Sequence, residues 1–332
     1  MKKFITFTLC GLMVMLSSLM FVGCKKDKDT ITLNEVTHSV FYAPLYLAIN
    51  LGYMEDEGIK INLENGQGSD KSMAALLSGN AEIALLGPET VVYVAAQGST
   101  NHPVVFGQLT KRDGSFLVSK TDERDTFNWS TSLVNKKVIA GRKGGLPAMT
   151  FEWVVNNANL YHGQNITLDT ETSFAMQVPV FDTQGGGDYC TMFEPTATEY
   201  QESGRGYIVA SVGEYSGEIP YTCFMATPKF IKNNPDKIEG FLRAIKKAYA
   251  YIMTNDDLTV AKALVPSFDG STAESLAKAV KSYKEIDAWC ASPAMTLASY
   301  NKLLAVLKNA GELEGNVDFE DVVDNTYALS VA

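Results

Sequence analysis

The 332 residues carry 46% hydrophobic and 20% charged side chains and a formal charge of −10. A chain of that length and apolar content suits two lobes with sizeable cores rather than one small domain. The acidic balance excludes nucleic acid or an anionic lipid surface as the main partner, because both demand clustered Lys and Arg.

Lys2 and Lys3 precede an apolar run over residues 4–22, which closes in Met20-Phe21-Val22-Gly23-Cys24. A basic start, an apolar middle and a small residue before the cut form the layout of a secretory signal. Cys24 directly after Gly23 matches a bacterial lipobox. Residues 1–23 are therefore read as a lipoprotein signal, Cys24 as the lipidated mature N-terminus and 24–30 as a charged tether. A retained transmembrane anchor is the alternative, since the run is nearly long enough to span a bilayer. This reading places the chain outside the cytoplasm, held to the cell membrane by lipid on Cys24. Once Cys10 and Cys24 are set aside, Cys190, Cys223 and Cys290 remain, an odd number that implies no disulfide framework. Their apolar neighbours mark them as small buried hydrophobes, with a Cys190–Cys223 bridge left open.

From residue 31 one unit repeats: a β-rich run, a polar or glycine-containing loop, then a helix. Residues 31–36 read as a strand and 38–42 as a loop. A helix starts near Pro44, where the missing N–H costs nothing, and Gly52 closes it. A short helix follows at 53–57, then a strand at 59–63. Gly66-Gln67-Gly68-Ser69 comes next, with Ser69 placed to cap a helix that ends at Gly79. Strand 81–86 enters Gly87-Pro88-Glu89-Thr90 and a helix running to Gln97. Strands alternating with helices imply parallel β-α-β units. In such a sheet the loops after the strands gather on one edge. Residues 37–44, 66–70 and 87–90 thus outline a binding edge.

A second set begins after residue 115. Residues 116–119 and 137–140 are β-like, and the latter lead into Gly141-Arg142-Lys143-Gly144-Gly145-Leu146-Pro147 and a helix at 148–156. The loop has no Gly-Lys-Ser/Thr ending, so it is not a Walker A loop, and a plain βα turn with two solvated cations competes with a ligand loop. Residues 189–193 form an apolar run ended by Glu194-Pro195, the pattern of a strand exit facing a cleft. From Pro228 the chain turns helical. Asn234-Pro235 opens a helix with Ile238, Phe241, Leu242, Ile245, Tyr249 and Ile252 inward. Ser271 to Glu274 reads as a capping box for a helix to about Trp289, and another helix spans roughly 297–310. The aromatic residues on these late faces are assigned to the core.

Three stretches carry a family resemblance: Thr37-His38-Ser39-Val40-Phe41-Tyr42-Ala43-Pro44-Leu45-Tyr46, Gly52-Tyr53-Met54-Glu55-Asp56-Glu57-Gly58-Ile59 and Leu76-Leu77-Ser78-Gly79-Asn80-Ala81-Glu82-Ile83. They resemble the ABC-transporter solute-binding proteins of the thiamine-pyrimidine-precursor and sulfonate/nitrate/taurine group, as do Pro235-Asp236-Lys237-Ile238 and Phe241-Leu242-Arg243-Ala244. The departures are Met54, and Glu82 for Asp.

The resemblance implies an α/β, two-lobed type II periplasmic-binding fold, each lobe a mainly parallel sheet flanked by helices, hinged by two crossovers. Residues 31–115 plus 228–332 would form lobe I and 116–227 lobe II, with the second crossover between 213 and 228. Carried over by position, His38, Phe41, Tyr42, Ser69, Pro88, Glu89, Thr90, Gly141, Arg142, Lys143, Gly144 and Gly145 would touch ligand. Glu194 and Tyr221 would sit on the second lobe's lip. Aromatic faces at Phe41, Tyr42 and Tyr221 could stack a heterocycle, Arg142 or Lys143 could pair with a carboxylate or sulfonate, and Glu89 and Glu194 favour N–H donors. The function implied is delivery of a small organic ligand to an ABC permease by a monomeric protein. A pyrimidine thiamine precursor is favoured and a small anion comes second.

An enzyme related to pyrimidine-precursor synthases is the alternative class, and a ligand-sensing module for a membrane receptor a third. The cysteine-rich iron motif of such synthases is absent. His38, His102 and His162 lie far apart in the sequence, and no Cys/His spacing suggests a metal, so neither metal nor cofactor is expected. No Gly-x-Ser-x-Gly elbow or Gly-x-Gly-x-x-Gly fingerprint occurs.

Overall fold

The computed structural model describes residues 29–99 and 102–332. The signal, Cys24 and the tether up to residue 28 lie outside the described residues. Ile31–Ala332 forms one compact unit. No helix among the described residues is long and apolar enough to cross a membrane.

The first half of the chain opens with β1 (Thr30–Glu35), α1 (Ala43–Asn50), α2 (Tyr53–Asp56), β2 (Lys60–Asn65) and α3 (Ser69–Ser78). It continues through β3 (Ile83–Leu86), α4 (Glu89–Ala96), β4 (Val104–Thr110), β5 (Ser115–Ser119), β6 (Lys137–Ile139), α5 (Leu146–Asn157) and β7 (Thr167–Asp169). After α6 (Gln177–Phe181) come β8 (Tyr189–Phe193), α7 (Thr196–Glu202), β9 (Tyr207–Ser211), α8 (Val212–Ser216) and β10 (Thr222–Ala226). The rest is helical: α9 (Pro228–Asn233), α10 (Pro235–Thr254), α11 (Asp257–Leu264), α12 (Ala273–Glu285), α13 (Leu297–Asn309), α14 (Phe319–Val322) and α15 (Thr326–Ser330).

Two five-stranded sheets result, ordered β2-β1-β3-β10-β4 and β7-β6-β8-β5-β9. Both are mixed rather than mainly parallel. β10 is antiparallel to β3 and β4, and β5 is antiparallel to β8 and β9, while β1 with β3 and β6 with β7 and β8 are parallel. The expected second-lobe span 116–227 therefore includes β10, a strand of the first sheet. All five of its residues are buried, and a strand covered on both faces shows no alternation to reveal its partner.

In the second sheet alternation sets the layers. Phe116, Val118, Ile139, Cys190 and Met192 join the large core that also fills the first sheet, whereas Leu117, Val138 and Tyr189 join a smaller core beneath α5. Cys190 and Cys223 are buried and Cys290 half-buried, and all three thiols are free.

Two segments cross between the sheets, 111–114 and 212–221. They run side by side, with Ile219 N–H donating to Lys111 O at 3.0 Å and Tyr221 N–H to Thr110 O at 3.1 Å. The late helices reach both sheets: α13 packs on α5, and α12 packs on α7. Ser275 Oγ bonds Glu199 at 3.3 Å, and Lys278 pairs with Glu202. Two helix starts differ from expectation. Thr272, not Ser271, caps α12 by accepting Ser275 N–H, and that helix stops at Glu285. Gly68, not Ser69, is the cap position of α3, with no side-chain bond.

Candidate ligand-binding cleft

The loops after β1, β2 and β3 share one edge of the first sheet and meet the loops of the second. Between α3 and the Gly141–Gly145 loop, Arg142 Nη2 pairs with Asp70 Oδ1 at 3.2 Å. The Tyr93 hydroxyl of α4 donates to Gly144 O at 3.2 Å, and Ser39 Oγ donates to Glu194 O at 3.4 Å. The lobes are closed on each other.

At the floor, Phe41 and Tyr42 lie in a 3-10 turn whose start is capped by Ser39 Oγ. Phe41 is buried where the lobes and crossovers meet, with ring centroids 5.8 Å from Phe193, 5.8 Å from Tyr221 and 5.0 Å from Tyr283. It lies over Gly114, where an added Cβ would come within 2.7 Å of its ring. Trp289 Nε1–H holds the Phe41 carbonyl at 2.8 Å.

Glu89 opens α4, where a carboxylate suits the helix N-terminus. Its side chain folds back over Gly87, so that a Cβ there would lie 2.0 Å from Oε2. Only 2% of Glu89 is exposed, and Oε2 has no partner among the described residues. The Leu146 N–H, at the start of α5 in the opposite lobe, reaches the carboxyl, yet burial still pushes it up to about 7. Asp113 on the first crossover is similar. Ser115 N–H and Oγ–H bond its Oδ1 at 2.7 and 2.5 Å, Oδ2 is unpartnered, and burial pushes it up to about 6. The buried Tyr221 hydroxyl faces Asp113 and has no well-formed hydrogen bond. Tyr42 lies within the field of Glu35 and Glu89, and burial pushes its hydroxyl far up. The cleft thus presents two buried carboxyls and two buried phenols, and no Lys or Arg among the described residues is fully buried. It is built to accept hydrogen bonds or positive charge.

The other expected contacts are divided. Pro88 and Thr90 flank Glu89, and Thr90 Oγ1 is tied to Gly87 O at 2.7 Å. Gly141 is buried, and Lys143 N–H bonds Thr170 O at 2.9 Å while its side chain is exposed. Arg142 is 56% exposed and occupied by Asp70. Ser69 sits half-buried on the edge. His38 turns away toward the late helices: Nδ1 meets Glu35 Oε1 at 2.7 Å and Nε2 meets Ser267 O at 2.6 Å, with Tyr46 and Phe268 on its ring. The Glu35 contacts raise its pKa above the ordinary 6.5. Glu194 is buried but satisfied by Thr198 N–H at 3.0 Å, Thr198 Oγ–H at 2.7 Å and Ser282 Oγ–H at 2.9 Å. It joins β8 and α7 to α12 instead of offering a free carboxylate.

Sequence reasoning missed Asp113, Phe193 and Tyr93. The cue for Asp113 was a carboxylate before Gly114 in a very short link between two fully buried strands. An open groove of about 650 Å³ elsewhere, lined by His102, Val104, Glu320, Asp321 and Asp324 among others, lacks convergent unpartnered buried groups.

Residues 40–258 match the family model described as NMT1/THI5 like. The chain belongs to that family. A Bacillus subtilis (strain 168) relative with the name "Putative binding protein YtlA" is 36% identical over 312 residues, 93% of this chain and 92% of YtlA. A more distant relative, the 4-amino-5-hydroxymethyl-2-methylpyrimidine phosphate synthase of Aspergillus parasiticus, is 24% identical over 68% of this chain and 67% of its own. Among solved structures, the zinc-bound ligand-binding component of an ABC-type import system from Staphylococcus aureus superposes with a TM-score of 0.70. That match covers 92% of this chain and 99% of the other at 13% identity, so it establishes the two-lobed periplasmic-binding fold.

Proposed function

We propose that this protein is an extracytoplasmic solute-binding protein that captures a flat, nitrogen-bearing heterocycle in the cleft and delivers it to an ABC importer. The observation that carries the ligand class is Glu89: a buried carboxyl with an unpartnered oxygen, in the field of Tyr42 and Tyr221, where no Lys or Arg among the described residues is fully buried. A ligand N–H would satisfy Oε2, and the phenol rings would cover an aromatic face. A pyrimidine of the thiamine-precursor type fits this chemistry. A small anion is the weaker reading, because the basic residues of the loop, Arg142 and Lys143, stand exposed at the rim.

The importer role rests on the fold, on the relation to YtlA and on lobes whose loop edges close over one another. The fold alone leaves room for catalysis, as the Aspergillus relative illustrates. A binding role is favoured because the relative matched over 93% of this chain, YtlA, bears the name of a binding protein. Membrane attachment through lipid on Cys24 completes the proposal. Incorporation of labelled palmitate that is lost in Cys24→Ser tests it.

The deciding experiment is a thermal-shift screen of the Ile31–Ala332 unit against 4-amino-5-hydroxymethyl-2-methylpyrimidine, other aminopyrimidines, alkanesulfonates and nitrate. A ligand at a hundred times its Kd adds about 2.7 kcal/mol of stability. The expected result is a rise with aminopyrimidines, diminished in Glu89→Ala. A rise with sulfonate or nitrate alone refutes the ligand class.

A further inference from the structure

Glu89 joins the two lobes in an unusual way. It belongs to α4 of the first lobe, yet the Leu146 N–H that reaches its carboxyl belongs to α5 of the second. The other titratable groups in its field among the described residues are neutral at ordinary pH. Tyr93 stands on its own helix, Tyr42 on the 3-10 turn, Tyr221 on the second crossover and Cys223 on β10. The cations nearest in sequence to Leu146, Arg142 and Lys143, point to solvent, and Arg142 is held by Asp70. With the lobes closed, an ionised Glu89 would be a buried charge whose Oε2 has no partner among the described residues, whereas parting the lobes removes the Leu146 contact and lets water in.

We propose that closure of the empty cleft is coupled to uptake of one proton by Glu89, so that acid draws the lobes together and a ligand's own N–H takes the place of that proton. The proposal rests on the cleft being the ligand site and adds a regulation to it.

The sign follows from linkage. With the carboxyl at about 7 in the closed form and near its ordinary 4.5 in the solvated open form, the closed state binds the extra proton between those values. The closed-to-open ratio therefore rises about tenfold for each pH unit lowered through that window, about 300-fold in all, and is flat above it. Asp113 lies on the crossover 111–114, and its partners are Ser115, two residues on, and Tyr221 of the other crossover, so its carboxyl makes no contact between the loop edges of the lobes.

The test uses ligand-free Ile31–Ala332, with small-angle X-ray scattering at pH steps from 8.5 to 5. Wild type should contract as pH falls below about 7, and Glu89→Gln, a neutral isostere, should stay contracted throughout. In parallel, in an Asp113→Asn background that removes the other raised buried carboxyl, the infrared band of a protonated carboxyl should be present at pH 6 and disappear by pH 8.5, which tests Glu89 while leaving it unsubstituted. A wild-type radius that does not change with pH, or a Glu89→Gln protein with the wild-type pH response, overturns the proposal. Because no ligand is added, a failed ligand screen leaves this result standing. A screen hit accompanied by pH-independent scattering refutes only the proton coupling.

Discussion

Replacing Asp113 by Asn should make the protein more stable at neutral pH. Asp113 is fully buried, and only one of its carboxyl oxygens has partners. Burial lifts it from an ordinary 3.8 to about 6, so the native state retains a proton that the unfolded chain releases between those values. Stability consequently falls as pH rises from about 4 to about 6 and is level beyond. The difference is worth about 3 kcal/mol at pH 8. Asparagine keeps an acceptor for Ser115 N–H and Oγ–H, offers its amide N–H to the Tyr221 hydroxyl, and carries no charge. Asp113→Asn should therefore melt roughly 5 °C above wild type at pH 8, given the unfolding entropy of a unit this large, and level with it at pH 4. Calorimetry of Ile31–Ala332 at the two pH values is the assay. Equal melting temperatures at pH 8, or a gain that persists at pH 4, would refute the assignment of an unpaired buried carboxylate.

Gly114→Ala should cost about 1–3 kcal/mol in a urea melt, because the new methyl meets the Phe41 ring and that ring is wedged among Phe193, Tyr221 and Tyr283. Thr198→Val removes one of the hydroxyl donors to Glu194 and should cost about 1–3 kcal/mol in the same assay, since a buried carboxylate oxygen loses a partner. Arg142→Ala breaks only a solvated pair with Asp70 and should change the melting temperature by less than the equivalent of about 1 kcal/mol, with no difference left in high salt. His38 is raised above 6.5 by Glu35 and Ser267. Its stabilisation is complete below that value and is lost as pH rises through the higher folded value. His38→Ala should thus destabilise more at pH 6 than at pH 9, as read by thermal melts.

Much of the fold was legible in local chemistry. Prolines at the starts of α1, α5 and α10 and glycines after α1, α3 and α13 put those helices within a few residues of where they stand. Strand partners were not, because β3, β4, β5 and β10 are buried on both faces and carry no period to distinguish parallel from antiparallel neighbours. In the cleft, a binding edge at residues 37–44, 66–70 and 87–90 could be drawn from strand ends. The direction of a side chain within it could not. His38 finds its acceptor at Ser267, 229 positions away, and Glu194 finds Ser282, 88 positions away. Nothing near either residue announces such partners. Asp113 escaped notice because a charged residue in a four-residue link reads as solvated until both crossovers are seen to close over it.

The three thiols among the described residues are all free, and their burial gives them a chemical lifetime of their own. Burial raises Cys190, Cys223 and Cys290 above the ordinary thiol range, so very little of any is the reactive thiolate. Air and peroxide have almost nothing to attack while the chain is folded. The same silence makes them natural clocks. Cys190 sits on β8 of the second sheet, whereas Cys223 on β10 and Cys290 against β4 report on the first. The rate at which each accepts a thiol reagent measures how often its own sheet opens, without any label being introduced.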